Sequence, residues 1–498
     1  MRFINTQLDK PNCNCGIVGV FGHHDAAIFA YQSLYALQHR GQESSGIVSS
    51  DGETVFRHIG MGLVNDAFAD LSILKELKGH LAIGHNRYST TGSTMLHNAQ
   101  PFVANFKDGP LAISHNGNFV NSGTVRSELV AEGAIFQTTS DTEVALHLMA
   151  RSKKQTLVEK IQDAFQQLKG AYSMVLLTCD SIVAVRDPRG WRPLCLGIKD
   201  QAFFITSESC ALDLIGAQYI REIEPGEILM IDNSGVKTYW LEEKAERSAC
   251  IFEYVYFSRP DSKIFDENVD KARRKLGKNL ALEHPVDADI VISVPDSSNT
   301  AALGFSSRSG IKFEIGLIRN HYVGRTFIHP QQLERDFKVR VKFNPVEGVL
   351  KGRRVVLVDD SIVRGTTLKL LTTMLRKAGA KEVHVRISSP PIISPCFYGM
   401  DFPTKDELIA SNKTVEKIRE YLGVNSLGYL SLEGMIDAVS NSRKGFCAAC
   451  FTGDYPLHPE EGAKKMQYEV PNPDNSEIPK TKFQSEPNLT SRVLIKNR

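Results

Sequence analysis

The sequence lacks several features that would each assign it to a particular class of protein. No stretch is apolar enough to span a bilayer, and residues 1–13 lack the apolar run of a secretory signal. The formal net charge is only +2, which gives no reason to expect a nucleic-acid or membrane partner. Internal repeats and low-complexity tracts are also missing. These absences predict a cytoplasmic protein without nucleic-acid or membrane partners.

Length and composition bound the number of domains and the use of cysteine. A chain of 498 residues is too long for one hydrophobic core, and its hydrophobic fraction of 42% supports normal globular cores. We therefore expect two domains and an appendage. In a cytoplasmic protein, the nine cysteines are expected to be metal ligands, catalytic thiols or buried residues rather than disulfides.

The first half of the chain mixes short strand patterns with helical ones. Residues 26–39 predict an amphipathic helix with Ile28, Tyr31 and Tyr35 on one apolar stripe. Further helices are predicted over 141–151 and 156–169, and strands over 15–22, 81–85, 111–117, 173–179, 181–185, 202–207 and 227–231. This density of strands among helices predicts a layered α/β domain.

The pattern changes after about residue 260. Strands predicted over 290–295 and 383–388 alternate with helices, which predicts a parallel βαβ sheet. The segment 459–498 is polar and contains Pro471, Pro473, Pro479 and Pro487, so we expect a poorly ordered tail.

Residues 354–367 read RVVLVDDSIVRGTT and carry the clearest chemical signal in the second half. The apolar run 355–358 predicts a strand buried on both faces of a parallel sheet. Asp359 and Asp360 then lie at the carboxyl end of that strand, where open α/β sheets bind ligands. A pair of carboxylates there can accept hydrogen bonds from a vicinal diol and hold a hydrated Mg²⁺.

A phosphate socket is predicted directly after the acid pair. Backbone N–H groups at the start of the next helix lie beside the hydroxyls of Thr366 and Thr367. No lysine follows Gly365, which excludes a Walker loop. Together these parts predict a site for a ribose 5-phosphate that carries a further phosphate group. The alternative is an ordinary strand-turn-helix with a polar turn.

This segment resembles the phosphoribosyl-pyrophosphate (PRPP) loop of type I phosphoribosyltransferases. The resemblance implies PRPP binding by Asp359, Asp360, Arg364, Gly365, Thr366, Thr367 and, from a separate segment, Arg325. It also implies that Ser297, in SVPDSS, joins Asp359 and Asp360 around Mg²⁺; the alternative for Ser297 is a plain strand-to-helix cap. The basic stretch 319–345 is interpreted as a lid over PRPP, or otherwise as a solvated basic hairpin.

A second constellation begins near the N-terminus, at Cys15-Gly-Ile-Val-Gly. If residues 1–14 are a leader that is removed, Cys15 becomes the first residue and carries both a thiol and a free α-amine. An α-amine has a pKa of about 7.7–8.0, so it can act as the general base for the thiol near neutral pH. Cys13 is a second candidate thiol, but the Gly-Ile-Val that follows Cys15 makes Cys15 the match.

Three further motifs supply what a thiol needs to attack the side-chain amide of free glutamine. Asn116 and the Gly117 N–H, on a tight HNGN turn, are candidate donors to an oxyanion. Arg87 is a candidate clamp for a carboxylate, and Asp141 a candidate partner for an α-ammonium group. The alternatives are a mere ion pair between Arg87 and Asp141 and a plain hairpin turn at HNGN.

These N-proximal motifs are similar to those of the N-terminal-nucleophile (class II) glutamine amidotransferases. With the PRPP loop downstream, residues 15–455 resemble the glutamine PRPP amidotransferase family. The resemblance implies a layered α/β/β/α glutaminase domain followed by a parallel α/β phosphoribosyltransferase domain. The expected division is a leader at 1–14, a glutaminase domain at 15–245, a transferase domain at 260–440, a cysteine turn at 441–458 and a disordered tail at 459–498.

The sequence Cys447-Ala-Ala-Cys450 is, from its spacing alone, a zinc half-site, a redox pair or neither. A tetrahedral site needs two more ligands, and Cys250 and Cys396 lie outside the predicted buried strands. Thiolates alone do not separate zinc from iron–sulfur. The family resemblance implies a structural [4Fe–4S] cluster on Cys250, Cys396, Cys447 and Cys450.

The resemblance implies amidophosphoribosyltransfer, in which ammonia from glutamine reaches C1 of PRPP and gives 5-phosphoribosylamine, the first step of purine synthesis. It also implies purine nucleotide feedback inhibitors and a homotetramer or homodimer. Other class II amidotransferases need a sugar-isomerase or ATP-pyrophosphatase domain, which residues 354–367 argue against. A rival of another class is a PRPP-sensing regulator of the same fold, but the N-terminal nucleophile is present and no basic reading helix is evident.

Overall fold

The structure is a computed structural model that describes residues 15–89, 92–320, 342–400, 402, 404–439, 445–458 and 495–496. The predicted leader 1–14, and all of the predicted tail 459–498 except residues 495–496, lie outside this part of the chain. No helix within the described residues is long and apolar enough to cross a membrane.

The N-terminal half forms two antiparallel sheets, counted over the described residues, and residues 495–496 add an edge strand to one of them. In spatial order the eight-stranded sheet consists of Gln218–Glu222, Cys195–Lys199, Ala202–Thr206, Gly16–Phe21, Leu81–Arg87, Ser44–Ser50, Thr54–Met61 and Ile495–Lys496. The six-stranded sheet consists of Gly235–Trp240, Glu227–Asp232, Ile182–Arg186, Gly170–Leu177, Gly109–Phe119 and Phe102–Phe106. Each predicted strand in this half therefore exists, with ends shifted by a few residues.

Three hydrophobic clusters stack these sheets between helices. One cluster joins the two sheets, through residues such as Ile83 and Val175. A second packs the first sheet against helices Ala26–Ala36 and Ser209–Ile215. The third packs the other sheet against helices Ser122–Ala131, Thr142–Arg151 and Leu157–Phe165. The result is the expected α/β/β/α layering.

The orientation predicted for the first helix was wrong. Ile28 is 40% exposed and Tyr35 is 52% exposed, whereas Ala30 and Leu34 are fully buried against the sheet. The helix lies so close to the strands that a Cβ at Gly84 would be 2.9 Å from Leu34 Cδ1, and its small buried alanines fit this close approach. Apolar periodicity gives alanine little weight compared with larger side chains. The larger side chains were therefore predicted to face the core, although they lie on the outer face of the helix.

The C-terminal half contains the expected parallel sheet. Its strands, in spatial order, are Ile290–Ser293, Arg354–Asp359, Glu382–Ile387 and Ser426–Tyr429. Helices Val269–Glu283, Asn299–Ser309 and Leu432–Val439 cover one face, and helices Thr366–Lys377 and Val415–Leu422 cover the other. Because both faces are covered, strands Ile290–Ser293 and Arg354–Asp359 carry unbroken apolar runs.

Shorter elements connect and edge these layers. Two-residue and three-residue strands pair Ala249–Cys250 with Phe446–Cys447, Lys263–Ile264 with Glu267–Asn268, and Leu317–Arg319 with Phe343–Pro345. The remaining helical turns are Val64–Ala67, Ile73–Glu76, Leu96–Asn98, Glu253–Phe257, Glu347–Leu350, Lys405–Glu407, Ile409–Asn412 and Ala449–Thr452. The basic segment 319–345 is described only at its two paired ends, and Arg325 lies outside the described residues.

Candidate active site

Cys15 lies immediately before strand Gly16–Phe21 and is almost fully buried. Strand Leu81–Arg87 runs antiparallel beside it, with Gly16 opposite Asn86, so the end of that strand reaches the Cys15 side chain. The thiol lies 3.4 Å from the Tyr88 carbonyl oxygen and 3.5 Å from the Tyr88 nitrogen. The sheet register therefore places the thiol against backbone rather than in open solvent.

Burial raises the pKa of the Cys15 thiol to about 11. The Tyr88 backbone and the Arg87 guanidinium act in the opposite direction and lower this pKa, while Glu43 and Asp141 raise it further. An isolated thiol in this position is therefore protonated near neutral pH and needs a base to become a nucleophile. The electrostatic influence of Arg87 and Asp141 also shows that both residues lie in the surroundings of Cys15.

Arg87 and Asp141 do not simply pair with each other. Arg87 Nη1 lies 3.4 Å from a carboxylate oxygen of Glu43 and 3.2 Å from the Ser93 carbonyl oxygen. Asp141 accepts a 2.9 Å hydrogen bond from the Phe119 N–H at the start of helix Thr142–Arg151. The predicted clamp residues are thus held separately, each by its own partner.

Glu43 is a site residue that the sequence argument missed. It precedes strand Ser44–Ser50, whose first residue pairs with Arg87, so the register brings the carboxylate to the guanidinium. Glu43 also accepts hydrogen bonds from the N–H and hydroxyl of Ser89, at 2.9 and 3.1 Å. The only signal in the sequence was its place in the polar stretch 39–47, HRGQESSGI.

The prediction that Asn116 and Gly117 lie on a tight turn was wrong, and so was the hairpin-turn alternative. Both residues lie within strand Gly109–Phe119, with Asn116 opposite Ser173 and Gly117 opposite Tyr172. Gly117 is needed because a Cβ there would lie 1.9 Å from the Ala171 carbonyl oxygen. The HNGN pattern is typical of turns, but an 11-residue strand paired along its length overrides it.

The Asn116 side chain is fully buried, and within the described part of the chain neither its oxygen nor its nitrogen has a hydrogen-bond partner. An unsatisfied buried amide costs about 1–3 kcal/mol, so it marks a place where a ligand group is expected. Nearby, His85 Nε2 lies 2.9 Å from the His115 carbonyl oxygen and joins the two sheets. Burial lowers the pKa of His85 to about 3, so the neutral ring donates this bond.

The second group of predicted residues meets at the carboxyl end of strand Arg354–Asp359. Asp359 and Asp360 are buried, and the Ser297 hydroxyl lies 2.5 Å from Asp360 instead of capping the following helix. Ser298, which the sequence argument did not single out, donates to Asp359 at 2.9 Å and lies 3.3 Å from Asp360. This cluster of oxygen donors is the type of ligand set that Mg²⁺ prefers.

Helix Thr366–Lys377 begins after the loop 361–365 that follows the acid pair. Gly365 precedes it with φ +79°, a left-handed conformation that favours glycine. The backbone N–H groups of Thr366 and Thr367 are therefore at a helix N-terminus facing the same edge of the sheet as the acids. Arg364 lies apart, with its guanidinium 3.0 Å from Glu407.

The four predicted cluster cysteines line one cavity. Cys250 and Cys447 are brought together as partners in the parallel pair of short strands. Cys450 follows Cys447 by three residues, in the helical turn Ala449–Thr452, and Cys396 comes from a separate segment. Trp191, Arg192 and Tyr398 complete much of the wall. Burial, with smaller contributions from the neighbouring Cys396 and Cys447, raises the pKa of Cys250 to about 12.

The spacing of these thiols bears on which group they fit. Among the described residues, the one group of three or more metal-ligating atoms within 4.8 Å of one another is His23, His24 and Asp25, not the cysteines. A tetrahedral zinc ion with Zn–S bonds of ~2.3 Å would hold its sulfurs about 3.8 Å apart. The thiols are therefore farther apart than in a zinc site, and four soft thiols lining one cavity are a donor set that zinc and iron–sulfur groups share.

The layered fold with its N-proximal thiol, joined to a parallel sheet with an acid-and-glycine loop, defines a glutamine amidotransferase fused to a phosphoribosyltransferase. A family model described as a glutamine amidotransferase domain matches residues 85–213. The chain belongs to the amidophosphoribosyltransferase family, the glutamine-dependent pentosyltransferases of purine biosynthesis.

Similarity to known members extends over most of the chain. It is 52% identical to amidophosphoribosyltransferase 2, chloroplastic, of Arabidopsis thaliana over 92% of this chain and 82% of that protein. The Bacillus subtilis amidophosphoribosyltransferase is 49% identical over 89% of this chain and 94% of that protein. A solved structure described as glutamine PRPP amidotransferase from B. subtilis complexed with ADP and GMP has a TM-score of 0.86 and 48% identity. The match covers 90% of this chain and 99% of the chain in that structure.

Proposed function

We propose that the amidophosphoribosyltransferase reaction is carried out here by two sites, a glutaminase at Cys15 and a PRPP site at Asp359 and Asp360. The observation that carries the proposal is the buried, unpartnered Asn116 amide in the layer beside the Cys15 strand. The expected boundaries, 15–245 for the glutaminase domain and 260–440 for the transferase domain, are part of the proposal. The six-stranded antiparallel sheet lies within the first range and the four-stranded parallel sheet within the second, which supports these boundaries.

In the glutaminase, the Cys15 sulfur attacks the side-chain amide carbon of glutamine while its proton passes to the α-amine of Cys15. The oxyanion that forms accepts hydrogen bonds from Asn116 Nδ2 and the Gly117 N–H. Collapse of this intermediate breaks the C–N bond, and the proton held by the amine leaves with ammonia. Water then hydrolyses the glutamyl thioester and releases glutamate.

Arg87 and Asp141 recognise the amino-acid end of glutamine. Arg87 binds the α-carboxylate, and Glu43 holds the guanidinium in place from behind. Asp141 accepts from the α-ammonium group with the carboxylate oxygen that is not already bonded to Phe119 N–H.

In the transferase, ammonia attacks C1 of PRPP and displaces pyrophosphate, which gives 5-phosphoribosylamine. Asp359 and Asp360 accept hydrogen bonds from the ribose hydroxyls, and the helix N-terminus at 365–367 binds the 5-phosphate. Asp359, Asp360 and Ser297 would hold Mg²⁺, which would neutralise part of the negative charge of pyrophosphate. Arg325 and the rest of the basic segment 319–345 are proposed to close over PRPP, and Arg364 to bind it after release from Glu407.

Replacement of Asn116 by alanine should lower glutamine hydrolysis by roughly 10²–10³-fold, because one oxyanion donor is lost. Ammonia-driven pyrophosphate release should stay unchanged. The measurement is kcat for each nitrogen source, with Asn118→Ala as the matched control on the same strand. An equal loss with both nitrogen sources would remove Asn116 from the oxyanion role.

We propose that residues 1–14 are a leader removed to expose the Cys15 amine. Because the buried thiol has a pKa of about 11, the thiol alone would ionise only in strong alkali. With the amine as base, glutamine-dependent activity should instead rise with pH through about 7.7–8.0 and then level off, as the amine becomes neutral. Intact mass should show Cys15 as the first residue. An active protein that begins at Met1, or a rate that climbs only towards pH 11, would contradict this.

The four-cysteine cavity is proposed to hold a structural [4Fe–4S] cluster that ties the C-terminal turn to the body of the protein. Protein prepared without oxygen should be brown, with iron and sulfide near stoichiometric. Cys447→Ser should lower the iron content sharply, whereas Cys210→Ser, at a buried cysteine outside the cavity, should not. Stoichiometric zinc in place of iron would contradict the assignment.

Feedback inhibition by purine nucleotides is also proposed, supported by the ADP and GMP bound in the B. subtilis structure. A homotetramer or homodimer and a cytoplasmic location complete the proposal. Analytical ultracentrifugation and fractionation test these two points. Five of the similar plant proteins are described as chloroplastic, so a plastid location is the competing outcome.

The decisive experiment is pyrophosphate release from PRPP and Mg²⁺, run with glutamine and separately with ammonium. Release with both nitrogen sources is the expected result. Release with ammonium alone would point to an unprocessed or damaged Cys15 site. If folded protein that carries its cluster releases no pyrophosphate with either nitrogen source, the result would favour a PRPP-sensing regulator of the same fold.

A further inference from the structure

A buried cluster of ion pairs lies between the Cys15 site and the cysteine cavity. It contains two arginines and two glutamates, none more than 1% exposed: Arg40, Arg192, Glu208 and Glu253. Arg40 contacts Glu208 through one nitrogen and lies 2.8 Å from Glu253 through another. Arg192 lies 3.3 Å from the same Glu253 oxygen. We refer to these four residues as the buried ion cluster.

One end of the buried ion cluster holds the backbone of Cys15. Arg40 Nε donates a 3.2 Å hydrogen bond to the Cys15 carbonyl oxygen. Once the leader is removed, Cys15 is a chain terminus, and no peptide bond before it restricts its position. The hydrogen bond from Arg40 then helps to set where the thiol and the amine lie.

The other end of the cluster forms part of the cysteine cavity. Arg192 lines that cavity beside Cys250 and Cys396, and its Nε donates to the Tyr398 carbonyl oxygen at 3.1 Å. Glu253 follows Cys250 by three residues and begins the helical turn Glu253–Phe257. The Glu253 carboxylate is therefore the point at which the cavity side and the Cys15 side meet.

The two glutamates are not equivalent. Glu208 has further hydrogen-bond partners outside the buried ion cluster. It accepts hydrogen bonds from His39 at 2.7 Å, from the Ser262 hydroxyl at 2.6 Å and from the Arg259 N–H at 2.9 Å. Glu253 instead joins the two arginines and accepts from the Ser258 hydroxyl at 2.8 Å. Loss of its charge would leave the two buried guanidiniums with only one carboxylate between them.

We propose that Glu253 is a positioning residue for the glutaminase, which holds Arg40 and, through it, Cys15, and which links them to Arg192 at the wall of the cysteine cavity. The inference rests on the proposed role of Cys15 as the nucleophile. Buried ion pairs add little net stability because their desolvation offsets the attraction. The four buried charges are therefore better explained by a role in positioning Cys15 than by stability.

The test compares Glu253→Gln with Glu222→Gln. Glu222 is another buried carboxylate, 3.5 Å from the buried Arg186, and it has no contact with Arg40 or Arg192. Both variants should lower the melting temperature, since each leaves a buried arginine without its charged partner. Only Glu253→Gln should lower kcat for glutamine hydrolysis, by roughly 10–100-fold with KM for glutamine little changed. Ammonia-driven activity should stay unchanged in both.

A second measurement does not depend on turnover. A diazoketone analogue of glutamine alkylates a thiol with loss of N₂. The rate of alkylation at Cys15 is measured by intact-mass spectrometry. The rate should fall in Glu253→Gln in parallel with kcat, and Arg40→Lys, which removes the Nε donor but keeps the charge, should reproduce the effect. Iron content is measured in each sample. An effect that vanishes when iron content is matched would overturn the inference.

The outcomes separate the inference from the proposed function. If the diazoketone does not modify Cys15 in the unsubstituted protein, the nucleophile assignment fails. If it modifies Cys15 equally fast in the unsubstituted, Glu253→Gln and Arg40→Lys proteins, only the role of Glu253 fails. If Glu253→Gln and Glu222→Gln lose ammonia-driven activity to the same extent, the damage is general, and the inference about Glu253 is overturned.

Discussion

Replacement of Cys15 by alanine is expected to abolish glutamine-dependent pyrophosphate release, by roughly 10⁴-fold or more, because the covalent route through the thioester is removed. The side chain is small and buried, so alanine fits the same space. Ammonia-driven release should continue at the unsubstituted rate, since nothing at the PRPP site changes. The measurement is pyrophosphate release with each nitrogen source, beside glutamate formation from glutamine.

The matched control for this change is Cys179→Ala. Cys179 is a partly exposed cysteine whose Sγ contacts the Glu53 carbonyl oxygen, and it packs at the edge of the same domain. That variant should use glutamine and ammonia equally well. Loss of both activities in a folded Cys15→Ala protein, or continued use of glutamine by it, would remove Cys15 from its proposed role.

The double replacement of Asp359 and Asp360 by asparagine is expected to stop both the glutamine and the ammonia routes. Each hydrogen bond to a charged acceptor contributes about 1.5–3 kcal/mol, so the pair together accounts for about 3–6 kcal/mol. That corresponds to a rate loss of roughly 10²–10⁴-fold. Asparagine keeps the volume and one acceptor oxygen at each position, so the buried serine contacts have partners and the fold is retained.

The opposite end of the same strand offers a matched control. Asp287 and Asp289 pair there with Arg354 on the exposed edge of the sheet, and their double replacement by asparagine should leave both routes intact. In the Asp359 and Asp360 variant, glutamine hydrolysis without transfer should still be measurable, which separates the two sites. Survival of the ammonia route would contradict the assignment of the acids to PRPP and Mg²⁺.

Predictions from the sequence were most accurate where the chemistry lies in one short stretch of chain. The strand, the acid pair and the glycine before the helix at 354–367 appear in the structure in the predicted order. The errors came from patterns whose outcome depends on neighbours. The HNGN sequence forms part of a long strand because strand Gly170–Leu177 pairs with it residue by residue. The first helix turns its alanines inward because the sheet lies close beneath it.

The sequence by itself determined the family, the layered and parallel halves of the fold, and the local chemistry of Cys15 and of the acid pair. Only the tertiary structure decided which distant residues support them. Glu43 meets Arg87 through strand register, Ser298 reaches both acids, and Glu253 joins Arg40 to Arg192. The partners in the last pair of contacts lie 213 and 61 residues apart in sequence. Such contacts leave no local pattern, because they arise from packing and register after the chain has folded.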